Sequence, residues 1–530
     1  MADCGKIPSI SELPEEIMHK ILSFLRNREA IRAGSLSKDW YRAFQTLPNL
    51  VFDRRAIDFY EELTGSGGER VIKRLRSELN YVISTLQRYY LGPNIVLNTF
   101  KLELDWSELD WSKLDWWDDN CIYECIIIAA EKGVRNLHFS NGGVSLFDLP
   151  VKVLEASTLV ELSLGRCRLK YHETLMWPNL KRLCLDKVEL DQLMLDNILR
   201  SCPLIETVDI CLCSISNKPL LPDQTTGMEA TPDPEFCSGF HLPVSQCQSL
   251  RSLSISLMEI DDNFFIDLSH KFPHLEHLSV EQCQTLRTFR ISSGSLKKLK
   301  LAYILLSEVQ FDLPSLVLFE FEGFRIPWIS FTAASGRWTS RLTICCDGII
   351  DISWFLKLKE FLKSQHRSEL RVTVYFEDNV AFKLDEVSTD VEVEEIAEFC
   401  ILSWAKLQPA DYGALAHKIM DGIFWTCHPR VITTEWYEYR LGYTESIYKM
   451  LVLENKPCHF CSSKGNFWRS RCESIKIFDY ELGLCMLLDE TLDWNGFSEV
   501  LKAQDCAKVT VSFNLEWRTC ELPEMLQSEL

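Results

Sequence analysis

The sequence predicts an α/β fold in three parts: a small all-helical N-terminal module, a solenoid of short repeated strands, and a mixed α/β C-terminal cap. Three observations carry this. A two-striped apolar helix pattern occupies the first fifty residues, a six-residue apolar spacing recurs nine times between residues 97 and 321, and beyond Cys345 that spacing loses register. The boundaries that follow are 8–50 for the helical module, 51–96 for a helical linker, 97–345 for the repeats with insertions at 105–133 and 214–245, and 346–530 for the cap.

In the N-terminal module, Ser11 is placed to cap a helix that Pro14 starts, with Glu15 and Glu16 in its positive first turn. Ile17, Ile21 and Phe24 fall at i, i+4, i+7, and Met18, Leu22 and Leu25 form a second stripe beside them. A helix apolar over more than half its circumference, in a module of about forty residues, needs a partner to cover it.

The order of Leu13-Pro14-Glu15-Glu16-Ile17, then Ile21-Leu22-Ser23-Phe24-Leu25, then Leu36-Ser37-Lys38-Asp39-Trp40 resembles an F-box. That resemblance implies binding to the Skp-type adaptor of a cullin-based (SCF) ubiquitin ligase. The residues it marks for adaptor binding are Leu13, Pro14, Ile17, Ile21, Leu22, Leu25, Leu36, Ser37 and Trp40. Sequence leaves open which of them face the adaptor and which fill the module's own core.

Residues 71–90 carry a helical pattern after the cluster Gly65-Ser-Gly-Gly68. No Walker-type Gly-Lys-Ser/Thr follows, so these glycines read as a hinge loop and not as a phosphate cradle.

The repeat spacing (apolar, two variable, apolar, one variable, apolar) begins at Leu97/Phe100/Leu102, Val134/Leu137/Phe139, Leu159/Leu162/Leu164 and Leu180/Leu183/Leu185. It continues at Ile205/Val208/Ile210, Leu250/Leu253/Ile255, Leu275/Leu278/Val280, Leu296/Leu299/Leu301 and Leu316/Phe319/Phe321. Most starts lie roughly 20–25 residues apart, the period of leucine-rich repeats. One unit cannot bury its inward side chains alone, so the units must stack. Ile122, Cys125, Ile126, Ala129 and Ala130 in the first insertion read as a helix ended by Gly133. Its tandem Asp-Trp-Ser run, Asp105 to Trp116, reads as a duplicated surface loop. Proline and glycine in the second insertion read as a flexible segment. Extra matches at Leu286/Phe289/Ile291 and Leu306/Val309/Phe311 predict a second short strand per coil in place of a helix.

The F-box followed by such irregular repeats is similar to the plant F-box/leucine-rich-repeat proteins, over roughly residues 8–345. The resemblance implies a non-catalytic substrate-recognition subunit, bound through the Skp-type adaptor to a cullin and through its repeats to an unknown protein target. The alternative is an F-box/repeat scaffold that does not assemble an active ligase. Exposed strand positions Glu161, Ser163, Arg182, Cys184, Ser252, Ser254, His277, Lys298 and Lys300 are the candidates for target contact.

In the cap, Trp354–Ser364 reads as a helix, Leu370–Phe376 as a strand, and the acidic run Asp385–Glu398 as a solvated loop or helix edge. Cys458-His-Phe-Cys461 is half a zinc spacing with no second pair. No catalytic motif, metal set or cofactor site is legible. The net charge of −20 opposes nucleic acid and anionic membranes. No apolar leader or span of about eighteen residues is visible. The 21 cysteines read as small buried hydrophobes in a reducing compartment, cytoplasm or nucleus.

Overall fold

The computed structural model describes residues 13–25, 27–52, 97–104, 119–141, 146–170, 175–216, 247–331, 338–346, 348–364, 368–376, 381–383, 394–403, 412–437, 442–453, 472–479, 484–486 and 508–517, with isolated positions at 80, 83, 84, 86, 87 and 172. Ser11, the Gly65–Gly68 cluster, most of helix 71–90, the Asp-Trp-Ser run, most of the second insertion and Cys458–Cys461 lie outside these. The chain forms two compact units, residues 1–275 and 276–530.

Unit one opens with helices α1 (Glu15–Phe24), α2 (Asn27–Gly34) and α3 (Lys38–Gln45). Pro14 stands at the N-cap of α1, one position earlier than expected, with no side chain to cap it; its carbonyl accepts from the N–H groups of Ile17 and Met18. Ser37 caps α3, its Oγ accepting from the Trp40 N–H at 3.2 Å. After α3 the chain needs only Thr46, Leu47 and Pro48 to reach a strand, Asn49–Phe52.

That strand pairs in parallel with Thr99–Glu103, and the ladder continues through Asn136–Ser140, Glu161–Gly165, Arg182–Asp186, Thr207–Cys211 and Ser252–Ser256. The register stacks the repeat positions directly: Phe100 on Leu137, Leu162, Leu183, Val208 and Leu253. All of these are fully buried, because each coil covers its neighbour's inward side chains. Leu47, Leu50 and Phe52 show the same spacing, so the array starts before the expected 51–96 linker, with Phe52 packed edge-on against Phe100.

Six of the inner strands are followed by a non-glycine residue with positive φ: Arg166, Lys187, Leu212 and Leu257 in unit one, Gln282 and Tyr303 in unit two. This left-handed turn costs about 1–2 kcal/mol for such residues. It is offset by a bond to the next coil: the Arg166, Lys187 and Leu212 N–H groups donate to Asp186, Cys211 and Ser256 carbonyls. The residue after the turn points inward and is often cysteine. Cys167 and Cys213 are buried, and burial pushes both thiols up, Cys213 to about 12. Every cysteine among those whose state is described is free.

The expected helix in the first insertion is present at Asp119–Glu131, apolar side inward, and Gly133 at φ +69° ends it. The second insertion starts later than residue 214. Ser214–Ser216 is a strand in a four-stranded parallel sheet with Glu189–Asp191, Cys167–Leu169 and Phe147–Asp148, so second strands also occur in unit one.

Unit two carries an inner ladder of His277–Glu281, Lys298–Ala302 and Leu318–Gly323, with the expected second strands at Thr288–Ser292 and Glu308–Asp312 joined by Trp328–Phe331. The ladder does not stop at 345. It runs on in parallel through Trp338–Cys346, Ser368–Phe376, Glu394–Ser403 and Cys427–Tyr437, before Lys508–Trp517 and Cys472–Asp479 add antiparallel strands. The acidic run is therefore a strand from Glu394 onward. Helix Ile352–Ser364 forms as expected and packs on helix Tyr412–Thr426, where Gly422 leaves room for the Phe355 ring. Among the described residues no helix is long and apolar enough to cross a membrane.

Two predictions follow from this packing. A Cβ on Gly165 would lie 2.5 Å from Ser140 Oγ and 2.9 Å from its Cβ. Gly165→Ala should lower the melting temperature, and adding Ser140→Gly should restore part of the loss, a coupling visible in a double-mutant cycle. Lys359 is 4% exposed, with Nζ 3.4 Å from the Trp425 carbonyl and over its indole; burial pulls its amine down to about 8 from an ordinary 10.5. The unfolded chain binds the extra proton between those values, so the penalty is full below pH 8 and fades toward 10.5. Lys359→Met should thus raise stability by about 2 kcal/mol at pH 7, with the gain shrinking in denaturation curves taken toward pH 10.

Candidate functional site

The helical module sorts its two stripes. Met18 and Leu22 on α1 face inward, joining Ala30, Trp40, Ala43 and Leu47 in a closed core, while Leu13, Ile21 and Leu25 pack partly against it. Trp40 is 2% exposed and fills that core; it is not a surface contact. Ser37 is half-buried and committed to its cap. Glu15, His19 and Thr46 tie α1 to the end of α3: Thr46 Oγ1 donates to Glu15 Oε1 at 2.5 Å and lies 3.0 Å from His19 Nε2.

Of the other stripe, Ile21 leans on this core and the rest is left bare. Ile17 is 45% exposed, Phe24 78% and Leu36 67%, with Pro14 also exposed and Tyr41 at 48%. Ile17 and Phe24 stand two turns apart on one face of α1. Phe24 and Tyr41 were not singled out for adaptor contact from the sequence. The i, i+4, i+7 spacing marks Phe24, but nothing in sequence says which stripe looks outward.

The sheet positions divide between the units. In unit one, Glu161, Ser163, Cys184, Ser252 and Ser254 are half-buried and Arg182 exposed on the outward side of adjoining strands. Cys184 is hydrogen-bonded to Ser163, and burial pushes its thiol up. Glu161 lies 4.0 Å from His138, whose imidazole burial pulls below its ordinary range. In unit two, His277 adjoins the exposed Lys298, and burial first, then that amine, lowers its pKa. Lys300 is not free: Nζ lies 2.8 Å from Glu281. No group of three or more metal-ligating side chains occurs among the described residues.

With this geometry in view, comparisons with known proteins can be placed. The F-box domain profile matches residues 10–52, covering the three helices and first strand. The profile described as FBD-associated F-box protein At5g56370, LRR repeats, matches residues 124–222. Among curated proteins of Arabidopsis thaliana, F-box/LRR-repeat protein At2g42720 is 29% identical over 213 residues, covering 37% of this chain and 42% of the relative. Putative F-box protein At3g44060 is 32% identical over 205 residues, 37% and 43% of the two chains. Putative F-box/FBD/LRR-repeat protein At1g66290 is 25% identical over 209 residues, 39% and 40%. The matches span about two-fifths of these relatives' length.

A helical F-box continued by a parallel ladder of leucine-rich coils defines the class. Over these residues the chain is similar to the plant F-box/leucine-rich-repeat proteins.

The core and surface assignments separate two kinds of variant. Trp40→Ala should cost the module about 3–5 kcal/mol, and Ser37→Ala about 1 kcal/mol. Ile17→Asp should stay within about 0.5 kcal/mol of wild type in chemical denaturation.

Proposed function

We propose that this chain is the non-catalytic substrate-recognition subunit of an SCF-type E3 ubiquitin ligase, acting in the cytoplasm or nucleus. The F-box binds a Skp-type adaptor and through it a cullin; the repeats hold a target protein. The observation that supports this most is the bare stripe of Pro14, Ile17, Phe24 and Leu36 on a module whose own core is already closed. Covering a large apolar side chain is worth about 1.5–3 kcal/mol, so a few such residues suffice for a stable contact. Ubiquitin transfer then runs by proximity, the target's lysines being held near a thioester carried by another protein.

The test is co-expression with adaptor and cullin, comparing wild type, Ile17→Asp/Phe24→Asp and Trp40→Ala. Wild type should co-purify with both partners. The double surface variant should lose them while keeping its melting temperature. Adaptor without cullin in the wild-type complex would favour a scaffold that does not build a ligase, and no adaptor on a folded chain would sink the reading.

A further inference from the structure

On the outward side of unit one, Asp209 occupies the centre of the strand Thr207–Cys211. The register sets Cys184 on one side of it and Ser254 on the other. Its diagonal neighbours on that face are Arg182, Asp186, Ser252 and Ser256. Among the described residues no hydrogen bond or ion pair reaches the half-buried Asp209 carboxylate; Arg182 is near enough to pull its pKa down against burial, and the carboxylate's charge adds to burial in pushing the Cys184 thiol up. Arg182 itself has no carboxylate within ion-pair distance among the described residues. The other charges of this face are largely engaged. Lys101 is 2.9 Å from Glu103, Glu161 is 4.0 Å from His138, and Asp186 is 4.0 Å from Lys187.

We propose that Asp209 receives a lysine or arginine side chain from an extended basic segment of the bound protein, with Cys184, Ser252, Ser254 and Ser256 as a low floor for that segment's backbone. This rests on the reading above that the repeats hold a target, and it names the chemistry of that target. Charge complementarity supports the occupant. Glu103, Glu161, Asp186 and Asp209 outnumber Lys101 and Arg182 on this face, and the chain carries −20 overall. Both favour approach of a cationic partner. The serine and cysteine neighbours are short, so a chain laid across them can come near the sheet. A charge-assisted bond to a partly desolvated carboxylate is stronger than one on an open surface. Burial holds the Asp209 carboxyl above the ordinary carboxylate range, against the pull of Arg182.

The test uses the full chain and fluorescein-labelled nonapeptides of alternating alanine and serine, with arginine, lysine, norleucine or glutamate at the centre, read by anisotropy at low and high salt. The arginine and lysine peptides should bind about tenfold or more tighter than the glutamate peptide, the gap narrowing with salt. Asp209→Asn should weaken the arginine peptide about tenfold with an unchanged melting temperature, and Arg182→Gln should strengthen it by freeing the carboxylate. Binding that is indifferent to the central charge, a preference that survives Asp209→Asn, or no binding up to about 1 mM overturns the proposal. Adaptor co-purification scores the ligase reading separately. A basic preference without adaptor keeps this inference and removes that reading; adaptor without the preference does the reverse.

Discussion

The structure depends on one constraint: a single coil has two or three inward apolar side chains and no means of covering them alone. Burial comes only when Leu162 lies on Leu183 and Leu183 on Val208, strand beside strand in exact parallel register. Slipping that register by one residue would turn the apolar set to solvent and the charged set inward. The turns that leave each strand obey the same constraint. They adopt a left-handed conformation at Arg166, Lys187 and Leu212, though none is glycine, because the N–H so presented meets a carbonyl of the next coil. The buried cysteines beside these turns fit in the narrow space that remains.

The F-box enters this scheme as the base of the array. Leu47 lies in the core of the helical module while Leu50 and Phe52, three and five residues on, lie in the core of the first coil. The Pro48 carbonyl accepts from the Asn98 N–H at 2.7 Å and the Thr99 N–H at 3.2 Å, fastening the joint to the second coil. A connection with two cores at its ends and backbone bonds across it holds the module in one orientation on unit one. For a protein proposed to work by proximity this has a physical meaning. Effective concentration falls as a tether lengthens or loosens, and a three-residue joint loses little of it.

The repeats were legible because their positions recur and every one is buried. The outward face of the F-box helix was not, because Ile17/Ile21/Phe24 and Met18/Leu22/Leu25 are equally apolar as sequence; only α3, with Trp40, decides which stripe it covers. The first coil was hidden because Leu47/Leu50/Phe52 stands in the same run as the helices and fifty residues before its successor. The later coils were hidden for a different reason. Beyond Cys345 the stacked residues Leu342, Val372, Phe399 and Ile432 stand 30, 27 and 33 residues apart, since helices such as Ile352–Ser364 lengthen two of the crossovers. The ladder persists while its period does not. Asp209 was missed because a lone aspartate at a strand position carries no signal until its neighbours' pairing is known.

The charged positions sharpen that last point. Lys181–Glu206 at 2.9 Å, Lys297–Glu276 at 2.9 Å and Arg341–Glu320 at 2.8 Å each join neighbouring coils. Exposed pairs of this kind contribute about 0–1 kcal/mol, so they cannot hold the array together. Their use is in matching: a cation on one coil meets an anion on the next only in the register that also stacks the leucines. Where matching is so general, a carboxylate and a guanidinium on neighbouring strands that both lack such a partner stand out. Cross-coil pairing neutralises much of the sheet for its own folding, and among the described strand residues of unit one Arg182 and Asp209 keep charges that no ion pair takes up.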